Sequence, residues 1–303
     1  MTEHQFEHRG DAPDKVLLIT GTSSGIGLAT AVAAARAGFT TVATMRDPDR
    51  AQALRTAAAD AGVAVDVRPL DVTDADSVAA CLAAVARDHG RLDALVNNAG
   101  ISNFDPTMEM STMAALRANL EVNFFGVIEV SRAAMPLLRA VGGRLVTIGS
   151  VHGIVGQPFN EAYCAAKFAI EGFMESLAPV AEAHGVKVSV VVPGFVSDTE
   201  FGVFPDINRK TIQADSGPYA PTFADYIAWI GSQGWEGAGQ LAHQVADVVV
   251  RTLRADRPAF RVPSGPWAAE YLDQKLADRD GATVQTLART WIGRPAIPSH
   301  LSE

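Results

Sequence analysis

Three mid-chain side chains could move a proton: Ser150, Tyr163 and Lys167. Tyr163 and Lys167 stand four residues apart in the run NEAYCAAKFAIEGFMESLA, which reads as helix, so both project from one face. Ser150 ends the apolar segment GGRLVTIGS, which reads as a strand. A strand-end hydroxyl facing a phenol and an amine on one helix face is a compact acid–base device. Taken alone, the Tyr–Lys spacing fits an ordinary buried tyrosine and an exposed lysine better than a catalytic pair, because such spacings recur by chance. The rest of the chain changes that balance.

The positioning elements run in a regular order. Residues 15–20, KVLLIT, read as a buried parallel strand. They lead directly into Gly21-Thr22-Ser23-Ser24-Gly25-Ile26-Gly27 and then into an alanine-rich helix. Strand, glycine turn and helix N-terminus make a phosphate cradle: glycine lets the backbone approach a pyrophosphate, and the helix start offers free N–H groups. A second strand, 40–45, ends in Met45 and is followed by Arg46. In a dinucleotide fold this strand end faces the adenosine ribose, where an acid would bond the 2′-hydroxyl. A neutral residue and then a guanidinium suit a 2′-phosphate instead, which puts NADP ahead of NAD; Asp47 beside Arg46 weakens that local field.

The alternation then continues. A strand over 63–70 ends in Asp71-Val72, and a helix over 74–89 has Asp74 or Thr73 as its cap. A strand over 92–97 closes in Asn97-Asn98-Ala99-Gly100. A helical region over 111–139 holds Asn123, Gly126 and Pro136; Gly142-Gly143 turns it into the strand of Ser150. After the Tyr–Lys helix, Gly185 opens the strand VKVSVVV, which ends in Pro193-Gly194. This rhythm implies an α/β fold: a Rossmann-like doubly wound parallel sheet of about seven strands, with helices on both faces. Ligands bind such sheets at the carboxyl ends of the strands. The glycine loop, Asp71, Asn98, Ser150 and Pro193 all follow strand ends, so five marked sites share one rim.

Composition narrows the function. The 303 residues are 48% hydrophobic, enough for a sizeable core, and read as one catalytic domain over 15–303 after a loose arm at 1–14. A net charge of −9 without any run of Lys or Arg argues against nucleic acid and against an anionic membrane surface. The two cysteines, Cys81 and Cys164, read as reduced, packed thiols, and no metal site is expected. Residues 1–14 lack the apolar core of a signal peptide and no apolar run is long enough to span a bilayer, which points to a soluble, cytoplasmic protein. Residues 195–240 break the rhythm with Phe201, Phe204, Tyr219, Phe223, Tyr226, Trp229 and Trp235, and read as an irregular substrate lid. A helix, the short strand AFRVP and a C-terminal extension over 266–303, helical from 267 to about 291, follow.

Together, Thr20-Gly21-x-x-x-Gly25-Ile26-Gly27, Asn97-Asn98-Ala99-Gly100, Ser150, Tyr163-x-x-x-Lys167 and Pro193-Gly194 resemble the motif set of the short-chain dehydrogenase/reductases, in the compact single-domain branch. The segment SVHGIVGQPFNEAYCAAKFAIEGFMESLA is also similar to the subgroup of 17β-hydroxysteroid and retinol dehydrogenases. The resemblance implies that Tyr163 is the general acid for carbonyl reduction, and base in reverse. It implies that Ser150 bonds the substrate oxygen, and that Lys167 binds the nicotinamide ribose and lowers the tyrosine pKa. Asn123 matches the position that holds a proton-relay water. Gly21, Ser23, Ser24, Gly25, Ile26, Gly27 and Arg46, then Asp71, Val72, Asn98, Ala99 and Gly100, would lie along the cofactor. Pro193, Gly194, Val196 and Thr199 would frame its nicotinamide end. Ser24 stands where some NADP-using members carry a basic residue.

The expected activity is NADP(H)-dependent interconversion of a ketone or aldehyde and an alcohol on a bulky apolar substrate, such as a steroid, polyketide or terpenoid. Two alternatives stay open: a 3-oxoacyl-thioester reductase, which would want more than Arg209 and Lys210 as basic residues in the lid, and a catalytically silent dinucleotide sensor. His152, Asn160, Glu161 and His243 read as loop or surface residues. The family often pairs through its long helices, which implies a homodimer or homotetramer.

Overall fold

Leu17 and Leu18 sit next to each other on one strand, so their side chains face opposite ways, and neither is exposed. A strand that is apolar on both faces needs cover on both, and β1 (Val16–Thr20) is buried along its whole length. Its companions are β2 (Thr40–Met45), β3 (Asp66–Pro69), β4 (Ala94–Asn97), β5 (Arg144–Ile148), β6 (Lys187–Val192) and β7 (Arg261–Pro263). In the computed structural model these seven form one sheet in the order β3-β2-β1-β4-β5-β6-β7, every neighbouring pair parallel. The structure describes residues 15–275, apart from 103, 200, 202–205 and 233–238. The expected arm at 1–14, Phe204 and Trp235 of the expected lid, and the extension beyond 275 lie outside the described residues.

The helices follow in chain order: α1 (Gly25–Arg36), α2 (Gln52–Asp60), α3 (Ala75–His89), α4 (Met113–Leu120) and α5 (Gly126–Val141). Then come α6 (Glu161–Glu182), α7 (Asp206–Asp215), α8 (Ala220–Ser232), α9 (Ala242–Arg254) and α10 (Pro266–Lys275). Leu17 and Ile19 pack with Ala34 of α1, Leu54 of α2 and Val249 of α9. Leu18 packs on the other face with Leu82 of α3, Val130 of α5 and Ile170 of α6. The two cores share the sheet as their common wall. Asp74 caps α3 by accepting from the N–H groups of Asp76 and Ser77 at 2.9 and 3.2 Å, and Gly142, at φ 65°, ends α5 in the left-handed conformation that glycine adopts without strain.

Three elements differ from the sequence expectation. The third strand is shorter than 63–70 because Val63 donates its N–H to Ala58 to close α2, and pairing with β2 begins at Asp66. The helical region over 111–139 forms, but residues 121–125 make a π turn between α4 and α5, a widening often found beside functional sites. Residues 195–240 are not irregular: their described part carries α7 and α8. Ile212 and Phe223 from these helices pack with Phe159 into a small third core.

One stitch joins the strand ends at the centre of the sheet. The Thr20 hydroxyl oxygen accepts from the N–H groups of Asn98 and Ala99, both at 3.0 Å. Asn98 Nδ2 donates back to the carbonyls of Thr20 and Gly21 at 2.9 and 2.8 Å. Removing a donor from two part-buried carbonyls costs on the order of 1–3 kcal/mol. Asn98→Ala should therefore lower the denaturant midpoint by that equivalent, read by circular dichroism; an unchanged midpoint would show that the stitch carries no load.

Candidate active site

The carboxyl ends of β1, β4, β5 and β6 open into one cleft of about 890 Å³. Its glycine loop fits a dinucleotide phosphate. A Cβ on Gly27 would stand 2.1 Å from the Gly21 carbonyl oxygen and 2.4 Å from Asn98 Nδ2, so only glycine lets the loop pass there. Gly21 itself has φ 70°. Ser24 is the N-cap of α1 but makes no side-chain cap bond, so its side chain leaves the first-turn N–H groups to another acceptor. Ser23, Ser24, Gly25 and Ile26 line the cleft beside Gly21 and Gly27.

Ser150, Tyr163 and Lys167 meet at the middle of the cleft. Each is less than one-tenth exposed. Ser150 lies close enough to Tyr163 to stabilise its phenolate, and Ser150 Oγ accepts from the His152 N–H at 3.1 Å. Lys167 Nζ donates to the Ile148 carbonyl at 2.9 Å and lies 5.7 Å from the centroid of the Tyr163 ring. Burial pushes the Tyr163 phenol up to about 12, and Ser150 pulls it partway back. Burial also brings the Lys167 amine down to about 8. The expected lowering of Tyr163 by Lys167 does not emerge from the protein's own groups, because desolvation of the phenolate outweighs the opposing influences.

The cleft also takes in most of the other residues singled out from the sequence: Arg46, Asp71, Val72, Asn98, Ala99 and Gly100 on one side, and Pro193, Gly194, Val196 and Thr199 on the other. Asp71 is folded into its own turn, accepting from the Thr73 N–H and hydroxyl at 2.9 and 2.8 Å. Thr199 donates to the Val196 carbonyl at 3.2 Å, and its methyl carbon would lie 3.2 Å from a Cβ on Gly25, which places it over the glycine loop. Asn123 is absent from the cleft wall. It is fully buried in the π turn, where Oδ1 accepts from the Ile101 N–H at 3.1 Å and Nδ2 donates to the Ile101 carbonyl at 2.9 Å. Its side chain holds the loop after Gly100 in place.

Sequence reasoning missed several wall residues. Arg50 lines the cleft beside Arg46, and the Asp47 carboxylate accepts from the Asp49 N–H at 3.0 Å to cap the short turn that brings it round. The four-residue spacing of the two arginines was the available signal. Trp267 and Tyr271 of α10 also line the cleft, their rings 4.6 Å apart. His152 and Asn160, read as loop residues, are wall residues too. His243 is exposed on α9, and Glu161 accepts from the Thr107 hydroxyl at 2.9 Å outside the cleft.

The sequence profile described as short chain dehydrogenase matches residues 15–204. The chain belongs to the short-chain dehydrogenase family. It is an oxidoreductase acting on CH–OH groups, and a nicotinamide dinucleotide fits its glycine cradle. Retinol dehydrogenase 8 of Bos taurus is 37% identical over 278 residues, covering 90% of this chain and 88% of the relative. The 17-beta-hydroxysteroid dehydrogenase type 1 of Mus musculus is 36% identical over 256 residues, covering 81% of this chain and 72% of the relative. Among solved structures, a point variant of actinorhodin polyketide ketoreductase with NADPH superposes with a TM-score of 0.69 at 26% identity, covering 82% of this chain and 95% of that one. Among the described residues of this short-chain dehydrogenase, no helix is long and apolar enough to cross a membrane.

The buried lysine makes stability depend on pH. The folded chain releases the Lys167 proton near pH 8, whereas a lysine in the unfolded chain holds it to about 10.4. Between those values the unfolded chain binds more protons, so this group makes stability rise with pH there, by roughly 3 kcal/mol in all. Tyr163, raised to about 12, acts oppositely above pH 10, where the folded chain keeps the extra proton. Lys167→Met should remove the rise between pH 8 and 10.5 in urea unfolding of the free protein; a rise of the same size in the variant would refute this account.

Proposed function

We propose that this short-chain dehydrogenase is an NADP(H)-dependent reductase of a ketone or aldehyde on a bulky apolar substrate, able to run in reverse on the alcohol. The observation that carries the reading is that Ser150, Tyr163 and Lys167, all buried, line the same cleft as the glycine cradle. The cofactor, when bound, supplies the hydride to the carbonyl carbon. Ser150 donates a hydrogen bond to the carbonyl oxygen and orients it towards Tyr163. Tyr163, with its pKa raised to about 12, holds its proton at neutral pH and releases it to the oxygen as negative charge develops. Lys167, one helical turn on, supplies the positive charge that stabilises the phenolate left behind. In the alcohol-oxidising direction the proton returns to Tyr163.

The dinucleotide would lie along the glycine loop with its adenine end near Asp71 and Val72 and its nicotinamide end near Pro193, Gly194 and Val196. Arg46 and Arg50 both line that cleft, which supports a 2′-phosphate. The NADPH in the polyketide ketoreductase supports the same choice. Retinol and a 17β-hydroxysteroid, named for the relatives, are large and apolar, and Phe104, Phe201, Tyr226, Trp267 and Tyr271 give the cleft matching aromatic walls. The Tyr163 and Phe201 ring centroids are 5.8 Å apart, which supports a lid role for the segment after Pro193. Arg209 of α7 also lines the cleft and is the feature that favours a 3-oxoacyl thioester as the second reading.

The exposed rings of Phe125, Phe168 and Phe173 beside and along α6 support self-association through the long helices, as a homodimer or homotetramer. Cys81 and Cys164 are buried free thiols, which supports a cytoplasmic location.

Tyr163→Phe should lower kcat by about 10²–10⁴-fold while the affinity for NADPH, read by fluorescence titration, stays within about twofold. Turnover at the native rate would sink the proton-transfer assignment. Arg46→Asp should raise the NADH to NADPH ratio of kcat/KM at least tenfold; an unmoved ratio would remove the 2′-phosphate assignment.

A further inference from the structure

We propose that the cleft contains a site for a second substrate group, a neutral hydroxyl a few carbon atoms from the reacting carbon, read by Asn160 with Gln157 and Tyr226. The inference rests on the carbonyl-reductase reading above and names a feature of the substrate that reading leaves open.

Asn160 stands at the N-cap of α6, three residues before Tyr163. Asparagine is a favoured capping residue, yet this one makes no side-chain cap bond. Its side chain is turned to other company. Nδ2 donates to Gln157 Oε1 at 2.8 Å, and the Gln157 side chain lies near the Tyr226 phenol of α8. Asn160 is only 3% exposed, and its Oδ1 has no hydrogen-bond partner. A buried amide oxygen without a donor is uncommon and unfavourable. Asn160, Gln157 and Tyr226 all line the cleft.

The backbone holds the amide there against its own preference. Phe159 has φ 59°, the one positive φ outside glycine among the described residues. A bulky aromatic residue in that region is strained, and such strain persists where the surroundings over-determine it. Here they do. The Phe159 ring is buried 5.1 Å from the Phe223 ring, edge to face, and 5.8 Å from the Tyr226 ring. Its carbonyl accepts from the Asp105 N–H at 3.2 Å. The strained residue sets the chain direction into Asn160, at the cleft wall.

The chemistry of the three groups chooses the ligand. An amide oxygen accepts and never donates, so it calls for an O–H or N–H and repels a carboxylate. Gln157 and the Tyr226 phenol are neutral, so no ionic group is being matched. Residues three apart at a helix start are neighbours, so a donor at Asn160 belongs near the carbonyl that meets Tyr163. The substrate class is therefore a hydroxyketone, and the product a diol, on an apolar ring skeleton.

The test uses the enzyme with NADPH and a matched set of ring ketones: 1-tetralone, its 2-hydroxy and 4-hydroxy derivatives, and their methyl ethers. At least one hydroxyketone should exceed both its parent and its ether in kcat/KM by roughly tenfold, chiefly through KM. That ratio should fall to about one in Asn160→Leu, and partway in Tyr226→Phe, which removes the phenol beside Gln157 and stands in if the first variant melts early. Turnover of the ketones with no preference for a hydroxyl, or with the same preference in both variants, overturns the inference and leaves the reductase reading intact. No turnover of the tetralones, retinal or a 17-ketosteroid with either nicotinamide cofactor takes down that reading and the inference with it.

Discussion

The reciprocal hydrogen bonds between Thr20 and Asn98 close the gap where the sheet changes direction. From β1 the order runs outward through β2 and β3 on one side and through β4 to β7 on the other. Helices therefore depart to opposite faces at this point, and the crevice between β1 and β4 would otherwise be held only by strand pairing. The Asn98 amide grips the carbonyls of Thr20 and Gly21. That grip fixes where the Gly21 carbonyl sits, and its position is what leaves Gly27 no room for a side chain. The shape of the glycine loop thus depends on a side chain from a different strand.

Above this floor the balance is electrostatic. Burial drives both ionisable groups of the Tyr163–Lys167 pair towards neutrality, the phenol upward and the amine downward. Each is held by one nearby polar group: Ser150 for Tyr163 and the Ile148 carbonyl for Lys167. Desolvation is the larger force in both cases, as expected where side chains are almost closed off from water. In the proposed role, a phenol that stays protonated at neutral pH keeps the proton that a developing negative charge would draw.

Much of this could be read from the sequence where the determinants are local. The β1, glycine-loop and α1 unit declares itself within one short stretch of chain, and Tyr163 and Lys167 share a helix face by spacing alone. Alternation of strand and helix was enough for the seven-stranded sheet. The remainder depends on contacts that spacing does not encode. Asp47 accepts from the Asp49 N–H and caps the short turn that carries Arg50, which lines the cleft beside Arg46. The π turn carries Asn123, whose side chain bonds the backbone of Ile101, a pairing across separate elements. The helices α7 and α8 form where aromatic residues and scattered Gly and Pro suggested a loop, because Phe223 and Ile212 find a third small core. The position of Asn160 depends on one strained dihedral at Phe159, which residue type alone would have argued against.

Gly194 and Trp267 are far apart in the chain, yet a Cβ on Gly194 would stand 2.4 Å from the indole ring. The strand end at the cleft wall is thereby fitted to a helix lying beyond the last strand of the sheet. That helix adds no strand and carries none of Ser150, Tyr163 or Lys167. A side chain at position 194 would have to push the indole aside, so α10 can lie against the end of β6 only while that position stays bare backbone.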